Sequence, residues 1–144
     1  MREITSAGVL LFRDQPEKSF LLLRSGKRWD VPKGHVEKRD ASEIAAALRE
    51  LREETGIQAE QVTLDEGFRF TTELKFKAAY LGGQFVHKTY VVFLAYASDV
   101  VPVKLTEHTT YQWFAWNPPH RIQKWLIDPL LQAVAEHFVA QEKD

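Results

Sequence analysis

The apolar and polar positions of this chain change rhythm several times, and each change predicts an element. Residues 4–12 mix β-branched and apolar side chains and run into Arg13-Asp14-Gln15-Pro16, the pattern of a strand closed by a turn. Residues 20–23 are a short apolar run, read as a buried strand, and Ser25-Gly26 breaks it. The stretch 29–35 holds too much Pro and Gly for a central strand or a helix. From 42 to 55 the period becomes helical, with Ser42 or Asp40 as N-cap and Gly56 as the stop. Strands are expected at 62–64, 68–74 and 84–97, with Leu81-Gly82-Gly83 as a turn, and again at 111–116. Asn117-Pro118-Pro119 marks a break, after which Ile122, Leu126, Leu130, Leu131, Val134 and Phe138 recur near helical spacing. A second helical segment is therefore expected over about 120–141, with Pro129 as the point where it splits or kinks. Strands, helix, strands, helix predicts an α/β (α+β) fold, a mixed sheet sandwiched between helices, in a single domain over 1–144.

The first helix has an unusual distribution of charge. At about 100° per residue, Ile44, Ala47, Leu48, Leu51 and Thr55 share one face, the expected core face. Glu50, Glu53 and Glu54, joined by Glu43 and the small Ala46, fall on the other side. Glu50 and Glu54 repel at i,i+4, and carboxylates near a helix C-terminus are disfavoured by the macrodipole. A divalent cation reverses both penalties, and hard oxygen ligands select Mg²⁺, Mn²⁺ or Ca²⁺. The plainer reading is a solvated face offset by Arg49 and Arg52. Ala46 would let a ligand or loop approach the helix, or is simply a good helix former.

Composition narrows the function further. The chain has 144 residues, 44% hydrophobic and 27% charged, which is ordinary globular composition. It has no cysteine, so disulfides, thiolate metal sites and cysteine nucleophiles are excluded. The longest apolar run is far short of the about 18 residues of a membrane span, and the opening residues do not read as a secretory leader, so a cytoplasmic setting without membrane contact is expected. The formal net charge of −1 gives no reason to expect non-specific nucleic-acid binding.

The run Arg49-Glu50-Leu51-Arg52-Glu53-Glu54-Thr55-Gly56-Ile57 resembles the core of the Nudix hydrolase signature, and Pro32-Lys33-Gly34-His35-Val36-Glu37 resembles the loop that opens it, placing the box at about 34–57. One departure stands out. Counted back from Arg49, the signature's upstream Glu position holds Ala41, and Gly34 lies one residue early, so the loop carries an extra residue. Asp40 or Glu43 is the candidate replacement. Glu66-Gly67-Phe68, Lys88-Thr89 and the stretch 107–113 are similar to landmarks of the diadenosine tetraphosphate hydrolase branch.

The resemblance implies a Mg²⁺-dependent phosphoanhydride hydrolase, with Mn²⁺ as the substitute metal. It implies metal ligands at Glu53, Glu54, Glu50 and the Gly34 carbonyl, with Glu50 as ligand or general base. Arg49 would orient a carboxylate, and Glu107 would reach the metal from a late loop. Lys33, His35 and Lys88 become candidates for phosphate, and Phe76 and Tyr111 for stacking a base. Arg24, Arg28, Lys75 and Lys77 add charge that could receive polyphosphate or serve as solvated strand-edge residues. The expected partner is a small nucleotide, foremost diadenosine tetraphosphate split to ATP and AMP, with the protein a monomer or homodimer. The alternatives are a 5′-triphosphate RNA, a diphosphoinositol phosphate, a damaged nucleoside triphosphate, or a nucleotide-sensing module without catalysis.

Overall fold

Two helices flank a seven-stranded mixed sheet in the computed structural model, which describes residues 1–98 and 101–143; the last position of the expected 1–144 span lies outside them. In chain order the elements are β1 (Arg2–Arg13), β2 (Ser19–Ser25), β3 (Arg28–Asp30), β4 (Lys33–His35), α1 (Glu43–Thr55), β5 (Val62–Ala78), β6 (Gln84–Ala97), β7 (Thr110–Ala115) and α2 (Ile127–Glu142). The sheet runs β3-β2-β1-β6-β5, with β7 along β2 and β4 against β1. β1 lies parallel to β6 from Arg2↔Val86 to Phe12↔Tyr96. Its other edge is shared, β4 taking Ser6, Ala7 and Gly8 and β2 taking Phe12 and Arg13. That fork brings β4 beside α1.

Strand alternation decides which side chains meet which helix. Ala7, Val9 and Leu11 of β1, with Leu21, Leu23, Val91 and Phe93, pack under α1. Leu10 and Phe12, with Phe20, Leu22, Val92 and Leu94, pack under α2, where Leu130, Leu131 and Val134 are buried. Each such leucine contributes about 1.5–3 kcal/mol by leaving water.

Several expectations are corrected. The stretch 29–35 is neither helix nor central strand, as expected, but it does contribute the short strands β3 and β4, each paired with a single neighbour, with Pro32 between them giving its carbonyl to the Val9 N–H at 3.1 Å. The strands expected at 62–64 and 68–74 are one strand, β5, interrupted by a register shift between Asp65 and Arg69. The second helix starts at Ile127 rather than near 120, since the Asp128 carboxylate takes the Ile122 and Gln123 N–H groups at 2.9 and 3.0 Å and holds that segment as a loop. Pro129 then lies in the first turn of α2, where a missing N–H costs no intrahelical bond. Ser42, not Asp40, caps α1, its Oγ accepting from the Ala45 N–H at 3.0 Å, and Gly56 closes the helix in the left-handed region at φ 78°. The buried face of α1 is centred on Ala46, Ala47, Leu51 and Thr55, while Ile44 is 37% exposed. Ala46 thus faces the sheet, where its small side chain fits the close packing of α1, and offers no approach to a ligand. None of the helices among the described residues is long and apolar enough to cross a membrane.

Candidate active site

The turn of the core face moves the carboxylates too. With Ala46 and Ala47 buried, Glu50 and Glu54 lie on the flank of α1 that meets β4, and Glu53 lies outward. Gly34 sits directly against Glu50: any side-chain carbon there would collide with the Glu50 carboxylate. The glycine leaves room for the Glu50 carboxylate rather than meeting a demand of backbone conformation.

Arg49 organises the cluster. Its Nε and Nη2 donate to the two oxygens of Asp40 at 2.9 and 3.0 Å, a fork-on-carboxylate pair. Nη1 donates to Glu50 at 3.0 Å and Glu53 at 3.2 Å, and Nη2 also donates to the His35 carbonyl at 3.1 Å. Asp40 receives the Glu37 N–H at 2.7 Å as well, and the Arg49 guanidinium foremost holds its carboxyl down at about 2. Glu43 instead pairs with Arg69, at 2.9 Å. Of the two candidates for the displaced carboxylate, Asp40 therefore meets the box arginine, and the extra loop residue is absorbed before α1 begins.

Glu54 is only 15% exposed and has one direct donor, the Lys33 backbone N–H at 3.3 Å. Burial pushes its carboxyl up to about 8, with the nearby Glu50 charge adding to the effect. Glu50 is raised as well, by burial first, against the pull of Arg49. Two adjacent carboxylates that resist ionisation, pressed against a glycine backbone, are a donor set of hard oxygens suited to Mg²⁺ or Mn²⁺. Among the described residues no three acidic or histidine side chains already converge on one point. Glu53, the third, is 43% exposed and turned to Arg49 and Arg39.

Beside the carboxylates lies a cationic strip on the α2 side of the sheet. The Lys33 and Lys88 ammonium groups both stand over the Tyr90 ring, 5.3 and 4.9 Å from its centre. His35 is exposed at the end of β4, and desolvation of its ring, followed by the charges of Lys88, Lys33 and Arg2, lowers its pKa and favours the neutral imidazole. Arg24 lies over the Trp29 ring at 5.2 Å, and Lys77 over Phe85 at 5.9 Å.

The other expected site residues are scattered. Glu107 is exposed and makes no hydrogen bond or ion pair among the described residues. Phe76 and Tyr111 stand on the opposite edge strands β5 and β7 and form no ring pair, so they do not sandwich one base here. Four residues missed as candidates line the site instead. Asp30 binds the Lys33 ammonium at 2.7 Å. Trp125 stands perpendicular to Tyr90 with ring centres 5.4 Å apart. Gln123 fixes that loop by accepting the Trp29 N–H at 3.0 Å and donating to its carbonyl at 2.8 Å. His108 approaches Glu54. For Asp30 the signal was its spacing of three from Lys33; nothing local marked Trp125 or Gln123.

Arg49 ties the half-buried Glu50 of α1 to the glycine loop through the His35 carbonyl, and the NUDIX domain model matches residues 2–136. The chain belongs to the Nudix family. A mouse protein named asymmetrical bis(5′-nucleosyl)-tetraphosphatase is 37% identical over 122 residues, covering 76% of this chain and 78% of its own length. One of the same name from Caenorhabditis elegans is 31% identical over 115 residues, with the same coverage. The crystal structure of a C. elegans Ap4A hydrolase binary complex superposes with a TM-score of 0.77 at 28% identity, covering 95% of this chain and 98% of that one. This Nudix hydrolase is thus similar along most of its length to the tetraphosphatase branch, as the motifs outside the box implied.

Proposed function

We propose that this Nudix hydrolase cleaves diadenosine tetraphosphate asymmetrically, with Mg²⁺, water and substrate giving ATP and AMP. The observation that carries the reading is the meeting of two unlike surfaces at β4: the half-buried Glu50 and Glu54 on one side, and the paired Lys33 and Lys88 ammonium groups on the other. The names of the relatives from mouse and C. elegans supply the substrate.

Glu50, Glu54, Glu53 and the Gly34 carbonyl would hold the metal, which when bound neutralises phosphoryl charge and lowers the pKa of a water. Glu53 is 43% exposed, and its contact with Arg39 is a surface ion pair of the kind worth about 0–1 kcal/mol. Arg49, spread over Asp40, Glu50, Glu53 and the His35 carbonyl, keeps the carboxylates oriented. Lys33 and Lys88 bind the polyphosphate as point charges, and Asp30 holds Lys33 until phosphate displaces it. Glu50 either completes this metal set or stands as the base, and Glu107, exposed on the loop before β7, is the second carboxylate for that role. Tyr111, Phe76 and His35 contact the nucleotide one at a time rather than as a clamp. A cytoplasmic setting suits a chain without cysteine.

The test is turnover with Mg²⁺ on diadenosine tetraphosphate, a 5′-triphosphate RNA, a diphosphoinositol phosphate and nucleoside triphosphates in parallel. Turnover of the first at least tenfold above the others supports the reading. Faster cleavage of any other substrate overturns it.

A further inference from the structure

His108 is held over the carboxylate cluster by a loop fastened on both sides. Upstream, the Lys104 N–H donates to the Thr55 carbonyl at 2.8 Å, and the Thr106 hydroxyl donates to the Glu53 carbonyl at 3.1 Å, both at the end of α1. Downstream, the Thr109 N–H and hydroxyl both donate to the Arg24 carbonyl of β2 at 2.9 Å. Between these anchors the imidazole is 16% exposed, its Nδ1 buried with no hydrogen-bond partner among the described residues and 4.0 Å from Glu54 Oε2. The same Glu54 oxygen takes the Lys33 N–H from the β4 side. Glu54 therefore lies between one donor in contact and one just out of contact.

We propose that His108 is a positioning residue for Glu54: its Nδ1–H closes on Oε2, directly or through one water, and turns the other carboxylate oxygen toward the metal. The adjacent Glu107, exposed, does not take this part. The inference rests on the proposed metal role of Glu54. It predicts that the donor must stand at the Nδ1 position, which asparagine reproduces and glutamine does not.

The test is Mn²⁺ affinity, read by electron paramagnetic resonance of the free ion on the nucleotide-free protein. The variants are His108→Ala, His108→Asn and His108→Gln, with circular dichroism to verify folding. His108→Ala and His108→Gln should each weaken Mn²⁺ binding about tenfold, the lower end for loss of a residue that orients a metal ligand. His108→Asn should stay within about threefold of the parent, and kcat should follow the same order with KM little changed. Equal binding by the parent and His108→Ala, or an Asn variant as weak as the Gln variant, would overturn the role of His108 alone. A parent protein that binds no Mn²⁺ would overturn this inference together with the metal reading, whereas weaker binding by Glu54→Gln beside an unaffected His108→Ala would overturn the His108 role alone.

Discussion

Replacing Glu54 with glutamine should stabilise the metal-free protein while abolishing its activity. The folded protein keeps the Glu54 proton up to about 8, whereas the ordinary value is 4.5. The native state therefore holds a proton that the unfolded chain releases, and stability falls as pH climbs from about 4.5 to about 8, with the full deficit above that window. At ~1.4 kcal/mol per pH unit the ceiling is on the order of 5 kcal/mol. The cluster is open to solvent on one side, and screening there reduces the expected deficit to about 2 kcal/mol. Glutamine removes the ionisable group and keeps the shape and the acceptor for the Lys33 N–H. For a chain of this length, Glu54→Gln should raise Tm by about 6 °C at pH 9 in EDTA, and by about nothing at pH 4. Differential scanning calorimetry across pH 4–9 measures this directly. A gain that is the same at every pH, or a loss at pH 9, would refute the argument that desolvation of this carboxylate is the dominant cost. Added Mg²⁺ should raise Tm in the parent at pH 9 and leave the variant unmoved.

Three further changes probe the cluster. Gly34→Ala should lower kcat at least about a hundredfold with folding retained, because the new methyl displaces Glu50, and steady-state kinetics with circular dichroism checks both halves. Arg49→Lys loses the fork onto Asp40 and the bonds to Glu50 and Glu53; Tm should fall by about 3–6 °C, and a lysine variant as stable and active as the parent would sink the organising role. Asp30→Asn removes the anion that competes with phosphate for Lys33, so KM for the tetraphosphate should fall about threefold with kcat little changed, and a rise in KM would contradict it.

The architecture was readable wherever one face of an element is buried. β1, β2, β6, β7 and α1 lie within a few residues of their expected places because alternation and helical period are local signals. The start of α2 was not readable, since it depends on an Asp128 side chain reaching back five and six residues. The continuity of β5 across its irregularity was hidden for a similar reason: β6, on the partner strand, holds the two halves together. At the site, the box glutamates and Arg49 were legible as a pattern, and Gly34 through its place in the loop. The rotation of α1 that half-buries Glu50 and Glu54 but exposes Glu53 was not, because the expected core face gave weight to Ile44 and Leu48 and the close packing of α1 chose the alanines. Asp30, Trp125 and Gln123 come together only when β3 and the loop before α2 meet, across more than ninety residues of chain.

The most direct test of the account is the anomalous difference map of a crystal of this protein soaked in Mn²⁺. A peak is expected about 2.1 Å from oxygens of Glu50 and Glu54, with Glu53 or the Gly34 carbonyl completing the set. A peak away from α1, or none in a crystal that diffracts well with the metal present, would contradict the claim that this carboxylate cluster is the hydrolytic centre.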